Sequence, residues 1–77
     1  MYSKEKEETY YLLSLHDLYE GIEIEALKAV LEDMEVKEEY EVCSGLDKAI
    51  KFAENNTREQ LIKEYDDTLE RIAQEAD

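Results

Sequence analysis

An all-α domain, a compact bundle of three to five short helices, is what the sequence predicts, and three observations predict it. Apolar residues recur every three or four positions over Thr57–Ala76 and over Ile22–Met34, which is the spacing of one helix face. Proline is absent and only 2 glycines occur in 77 residues, so few points interrupt a helix. Hydrophobic residues make up 43% of the chain although 40% of it is charged, which is enough apolar content for one small core rather than a disordered polyanion. The competing reading is α+β, with short strands near 9–15 and 39–43 packed under the helices. No linker, repeat or low-complexity tract divides residues 1–77, so a single domain is expected.

The first element is the ambiguous one. The run Thr9-Tyr10-Tyr11-Leu12-Leu13-Ser14-Leu15 is dense in β-formers, yet Tyr11, Leu12, Leu15, Leu18 and Tyr19 share one helical face. Helix over 3–20 is favoured, because the charged lead-in Lys4-Glu5-Lys6-Glu7-Glu8 extends it and Gly21 stands where a C-terminal cap belongs. The second helix, Ile22–Met34, presents Ile24, Leu27, Val30, Leu31 and Met34, and Ala26 and Ala29 favour helix further. From Val36 to Cys43 the pattern fits a helix or irregular turn slightly better than a strand. Ser44-Gly45 reads as a break, followed by a short third helix on Leu46, Ala49, Ile50 and Phe52-Ala53 that ends at Asn55-Asn56.

The last element carries the clearest pattern. Leu61, Tyr65, Leu69, Ile72 and Ala76 form its apolar stripe, while Lys63, Asp66, Asp67, Glu70, Gln74 and Asp77 form the opposite face. Thr57 and Gln60 have the spacing of a capping box. The sequon Asn55-Asn56-Thr57 is better explained by that cap than by glycosylation. The N-terminal segment lacks the apolar core of a signal peptide, and the lone Cys43 allows no intramolecular disulfide, so a cytoplasmic protein is expected. No apolar run has the length of a membrane span.

Charge is distributed unevenly. The chain holds 22 acidic and 9 basic residues, a net charge of −13. Residues 17–41 contribute −8 of this and residues 64–77 contribute −5, so the remaining residues balance. Acidic faces of this kind confer solubility in many helical domains. Geometry allows a second use: carboxylates one helical turn apart lie about 5–6 Å from each other, comparable with successive phosphates along a strand. Such a surface is repelled by bare nucleic acid and anionic membranes and attracted to basic proteins.

Other candidates for chemistry are weaker. His16-Asp17 has no accompanying nucleophile and fits a packed or half-exposed helix position. Cys43 sits near Glu41 and Asp47, which disfavour its thiolate, and reads as a small core residue. No ligand spacing indicates a metal or cofactor, and no catalytic signature indicates an enzyme. Six tyrosines and no tryptophan imply aromatic rings at the boundary between core and surface, beside carboxylates that can hold Arg and Lys.

In size, charge and the acidic runs Glu32-Asp33, Glu38-Glu39 and Asp66-Asp67, the chain resembles the small acidic DNA-mimic inhibitor proteins, many of them phage-encoded. The resemblance implies a protein that occupies the DNA-binding surface of a basic partner, for example an HU-type nucleoid protein, and itself binds no nucleic acid. The residues expected at that interface are Glu32, Asp33, Glu35, Glu38, Glu39, Glu41, Asp66, Asp67 and Glu70, with Tyr40 and Tyr65 as anchors. The alternative is a structural or regulatory helical module that pairs through its apolar faces. A core this small leaves apolar surface over, so a symmetric homodimer through the 9–19 stripe is a further expectation.

Overall fold

A computed structural model describes residues 1–75. Among them lie four helices and no strand: α1 (Lys4–Tyr19), α2 (Ile24–Val36), α3 (Tyr40–Asn55) and α4 (Arg58–Glu75). The all-α expectation therefore holds, and the α+β alternative does not. Residues 9–15 are mid-helix, and residues 40–43 are the first turn of α3. Ala76 and Asp77, the ends of the two predicted faces of the last helix, lie outside the described residues.

The local signals that start and stop these helices act as their chemistry dictates. Ser3 caps α1, its hydroxyl accepting from the Lys6 N–H at 3.2 Å. At the other end Gly21 adopts φ 101°, with the Gly21 N–H donating to the Leu18 carbonyl and the Ile22 N–H to the Asp17 carbonyl. This paired pattern is the Schellman cap, and its left-handed residue is best supplied by glycine. The same pattern closes α2 through the Glu38 and Glu39 N–H groups, but here the left-handed position, φ 59°, is held by Glu38. The capping box of α4 forms in both directions, Gln60 N–H to the Thr57 hydroxyl at 3.2 Å and Thr57 N–H to the Gln60 amide oxygen at 2.7 Å.

α1 and α3 form the central pair, with α2 packed against α3 and α4 packed against α1. The core is Leu15 and Leu18 from α1, Leu27 from α2, Val42, Leu46, Ala49 and Ile50 from α3, and Leu61 from α4. The Ser44-Gly45 break is a misreading: both residues lie inside the 16-residue α3. Gly45 is buried where α1 crosses α3, and a Cβ placed on it would lie 2.6 Å from the Glu7 carbonyl oxygen and 2.8 Å from the Tyr11 nitrogen. The glycine allows two backbones to approach; it does not turn the chain.

Two other expectations shift by one helix position or change side. On α4 Thr68 is buried and fully enclosed beside the core residue Leu61, while Leu69 is 44% exposed. On α2, Val30 is 42% exposed rather than packed. Part of the stripe assigned to a homodimer, Leu15 and Leu18, is consumed by the monomer's own core.

Thr68 also carries a cost, since its hydroxyl is buried with no hydrogen-bond partner. Valine has nearly the same shape without the polar atom, so Thr68→Val is expected to stabilise the fold by about 1 kcal/mol. Thermal unfolding should register this as a rise of roughly 4–8 °C in Tm. A fall in Tm would mean that the hydroxyl is hydrogen-bonded in solution.

Candidate protein-interaction surface

The predicted interface residues divide into groups once the fold is known. Glu32, Asp33, Glu35 and Glu38 lie exposed on the last turns of α2 and the turn that follows, and Asp66, Asp67 and Glu70 lie exposed on α4. Asp33 is paired with Lys37 at 2.9 Å. Glu39 meets Lys6 at 3.2 Å, and Glu41 accepts from the Ser3 N–H at 3.1 Å. These last two contacts tie the start of α3 to the start of α1, the Lys6–Glu39 pair across a half-exposed surface. Its own backbone N–H foremost, then the Ser3 N–H, holds the Glu41 carboxyl below its ordinary range. Among the described residues, no ion-pair partner faces Glu32, Glu35, Glu38, Asp66, Asp67 or Glu70.

The two acidic regions ride on helices that pack against different members of the central pair. They are thus two patches, each with its own helical spacing: Glu32 and Glu35 three residues apart, Asp66 and Glu70 four apart.

The aromatic anchors also separate. Tyr40, at the head of α3 beside the acidic turn, is 61% exposed. Tyr65 is half-buried, its ring centroid 5.6 Å from that of His16 and 6.1 Å from that of Tyr19. Arg58 covers the outer face of Tyr19 at 5.6 Å and donates to the Tyr19 carbonyl at 2.9 Å. His16, Tyr65, Tyr19 and Arg58 therefore form a ladder that seals α4 onto the end of α1. Tyr65 is committed to that seal, and of the two anchors Tyr40 is the one that presents an exposed ring to an incoming partner. His16 reaches Glu20 at 3.5 Å.

Cys43 is half-buried, and burial foremost, then the charges of Glu35 and Glu39, raises its thiol above the ordinary range. Among the described residues no group of three or more His, Cys, Asp or Glu side chains could hold a metal ion, and no helix is long and apolar enough to cross a membrane.

The residue that sequence reasoning missed is Glu7. It stands in the charged lead-in of α1, yet it is 3% exposed. Its carboxylate accepts from the Lys48 ammonium, the Tyr2 hydroxyl at 2.7 Å and the Ser44 hydroxyl at 3.0 Å, with Lys4 at 3.7 Å. The signal was present: Glu7, Ser14 and Leu18 lie on one helix face, a continuation of the stripe through Leu15 and Leu18. It was hidden because a carboxylate does not count in an apolar pattern.

The Lys48 contact foremost, then the Tyr2 and Ser44 hydroxyls, hold the Glu7 carboxyl down to about 2, against the opposing effect of burial. A carboxyl with a folded value below its unfolded one stabilises the fold above the unfolded value and loses that stabilisation as pH falls toward the folded one. Glu7 should thus contribute at neutral pH and stop contributing between about pH 4.5 and about pH 2. Glu7→Gln is expected to lower stability by about 2 kcal/mol at pH 7, allowing for the half-exposed lysine. In denaturant titrations the gap between variant and parent should close over that acid window. A gap that stays constant with pH would show that shape, not charge, makes Glu7 important.

The chain was compared with family models, curated proteins and solved structures, and it matches none of them.

Proposed function

We propose that the protein is an acidic interaction domain that binds a basic DNA-binding protein, HU-type in character, and blocks its DNA-binding surface by presenting carboxylates in place of phosphates. The observation that carries this reading is the set of exposed carboxylates without cationic partners on α2, its following turn and α4, in a chain of net charge −13. Like charges one turn apart repel by a few tenths of a kcal/mol per pair. A neighbouring Lys would remove that cost, as Lys37 does for Asp33 and Lys51 for Asp47. Leaving these rows uncompensated costs stability and keeps charge available to a partner. Tyr40 beside the acidic turn adds a surface for Arg and Lys side chains.

The test uses a purified HU-type nucleoid protein as probe. Binding should weaken steeply as salt rises, and duplex DNA should compete for the same surface. Tight binding that survives both high salt and excess DNA would overturn the reading.

A second reading is favoured by a groove between α1, α2 and α3. Leu13, 51% exposed, and Val30 face it, above a floor of Leu27, Val42 and Leu46. This groove suits the alternative of a helical module that pairs through apolar contacts, and a salt-resistant partner would support it.

A further inference from the structure

The 9 basic residues are spread along the sequence, yet Lys4, Lys48, Lys51 and Arg71 all border one cleft of about 520 Å³. Tyr11 and Phe52 supply its apolar wall. The Tyr11 ring is held there because its hydroxyl donates to Glu64 Oε2 at 2.6 Å, across from α1 to α4. At the end of α3 the Asn55 and Asn56 amide nitrogens donate to the Lys51 and Phe52 carbonyls, so the amide oxygens are not spent on these bonds, and both residues line the cleft.

Charge in the lining is positive. Glu7 and Glu8 are the carboxylates among the lining residues, against four cations, and Glu7 lies buried beneath Lys48. Lys51 pairs with Asp47 at 2.9 Å and Arg71 with Glu8 at 3.6 Å, but both cations are half-exposed or more. Such surface pairs are weak, on the order of 0–1 kcal/mol, and yield readily to a better anion. The net charge of the whole chain opposes anions at long range. At physiological salt, however, fields decay over about 8 Å, so the groups that line the cleft decide what enters it.

We propose that this cleft binds a small organic anion with a flat ring and a multiply charged headgroup, a nucleoside phosphate in size and chemistry. Lys51 and Arg71 turn from their exposed carboxylate partners to the phosphoryl oxygens through charge-assisted hydrogen bonds, while Lys48 and Lys4 stay with Glu7 and add positive charge to the rim. The ring packs on Phe52 and Tyr11, and Asn55 and Asn56 meet its polar edge. The volume lies in the range of about 300–1,000 Å³ usual for small-molecule sites. This site is independent of the acidic rows, and it uses none of the residues assigned to the DNA-binding partner.

The test is calorimetric titration of the full chain with ADP, with adenosine and inorganic pyrophosphate as separate arms. ADP should bind with a Kd below about 1 mM, at least about tenfold tighter than either half alone. Amide signals of Phe52 and Asn55 should shift in step. The pair Lys51→Met and Arg71→Met should weaken ADP binding by about tenfold. The pair Lys28→Met and Lys63→Met makes the same change in net charge elsewhere and should leave it intact. Circular dichroism checks that both pairs fold; if the first does not, Lys51→Met alone carries the comparison. Absence of ADP binding, equal losses from the two pairs, or pyrophosphate binding as tightly as ADP would each overturn the proposal.

Discussion

Replacing Gly45 by Ala is expected to destabilise the protein by about 2–3 kcal/mol and to lower its Tm by roughly 10–20 °C. A folded chain of this length has only about 4–12 kcal/mol in hand, so this is among the most damaging single methyl groups that could be added. The reason lies in what the methyl would meet. Its carbon would fall 2.6 Å from the Glu7 carbonyl oxygen and 2.8 Å from the Tyr11 nitrogen. Both are backbone atoms of α1, which cannot rotate aside as a side chain can. The two helices would have to part, and the contacts of Ser44 and Lys48 with Glu7 would stretch with them. Helix propensity argues the opposite way, because Ala in a helix is favoured over Gly by about 1 kcal/mol. Chemical denaturation decides between the two: a more stable Gly45→Ala protein would mean that α1 and α3 do not approach this closely. Gly21 provides the contrast. Nothing lies within 4 Å of its added Cβ, and its φ of 101° makes the cost one of backbone strain alone, about 1–2 kcal/mol.

The two glycines also show what could be read from the chain. Gly21 ends a helix through its own backbone, so a local pattern was sufficient to place it. Gly45 serves a contact with residues 38 and 34 positions earlier, Glu7 and Tyr11, and no local pattern distinguishes that use from a turn. A hint existed in the spacing Gly45-x-x-x-Ala49, two small residues on one helix face, both of which are buried. The same division explains the other outcomes. The Thr57–Gln60 capping box and the start and end of α1 depend on neighbours in sequence and were legible. The strand-like run through Tyr10, Tyr11 and Leu12 became helix because α3 offers a complementary helical face and no strand among the described residues is there to pair with it. Thr68 in place of Leu69, and Glu7 in place of a solvated acid, depend on which way a helix is rotated against its partner. Periodicity gives the width of a face but locates its centre only to within a residue. Of the interface candidates, the exposed rows on α2 and α4 were legible as rows. That Glu39, Glu41 and Tyr65 have partners of their own on α1 or just before it was not, because those partners, Lys6, Ser3 and His16, are distant in sequence.

Reversing Asp66, Asp67 and Glu70 together to Lys is expected to weaken binding to an HU-type protein by about tenfold to a hundredfold at low salt. The comparison must hold total charge constant while changing position. Glu5, Glu7 and Glu8 are unsuitable for that purpose, since Glu7 is buried and Glu8 faces Arg71. Glu5, Glu54 and Glu59 are exposed and lie outside both acidic regions, so their reversal is the matched control. In either triple each substitution adds two positive charges, and both proteins move from −13 to −7. Neither should unfold: Asp66, Asp67 and Glu70 have no ion-pair partners among the described residues, and the Lys28–Glu54 pair at 3.1 Å is an exposed one. If an arranged row of carboxylates contacts the partner, the α4 triple loses affinity and much of its salt dependence, while the control loses little of either. Diffusional steering by net charge alone would slow association equally in both. Equal losses would leave the acidic surface as a solubilising coat, and the groove beside Leu13 and Val30 would become the place to look for a partner.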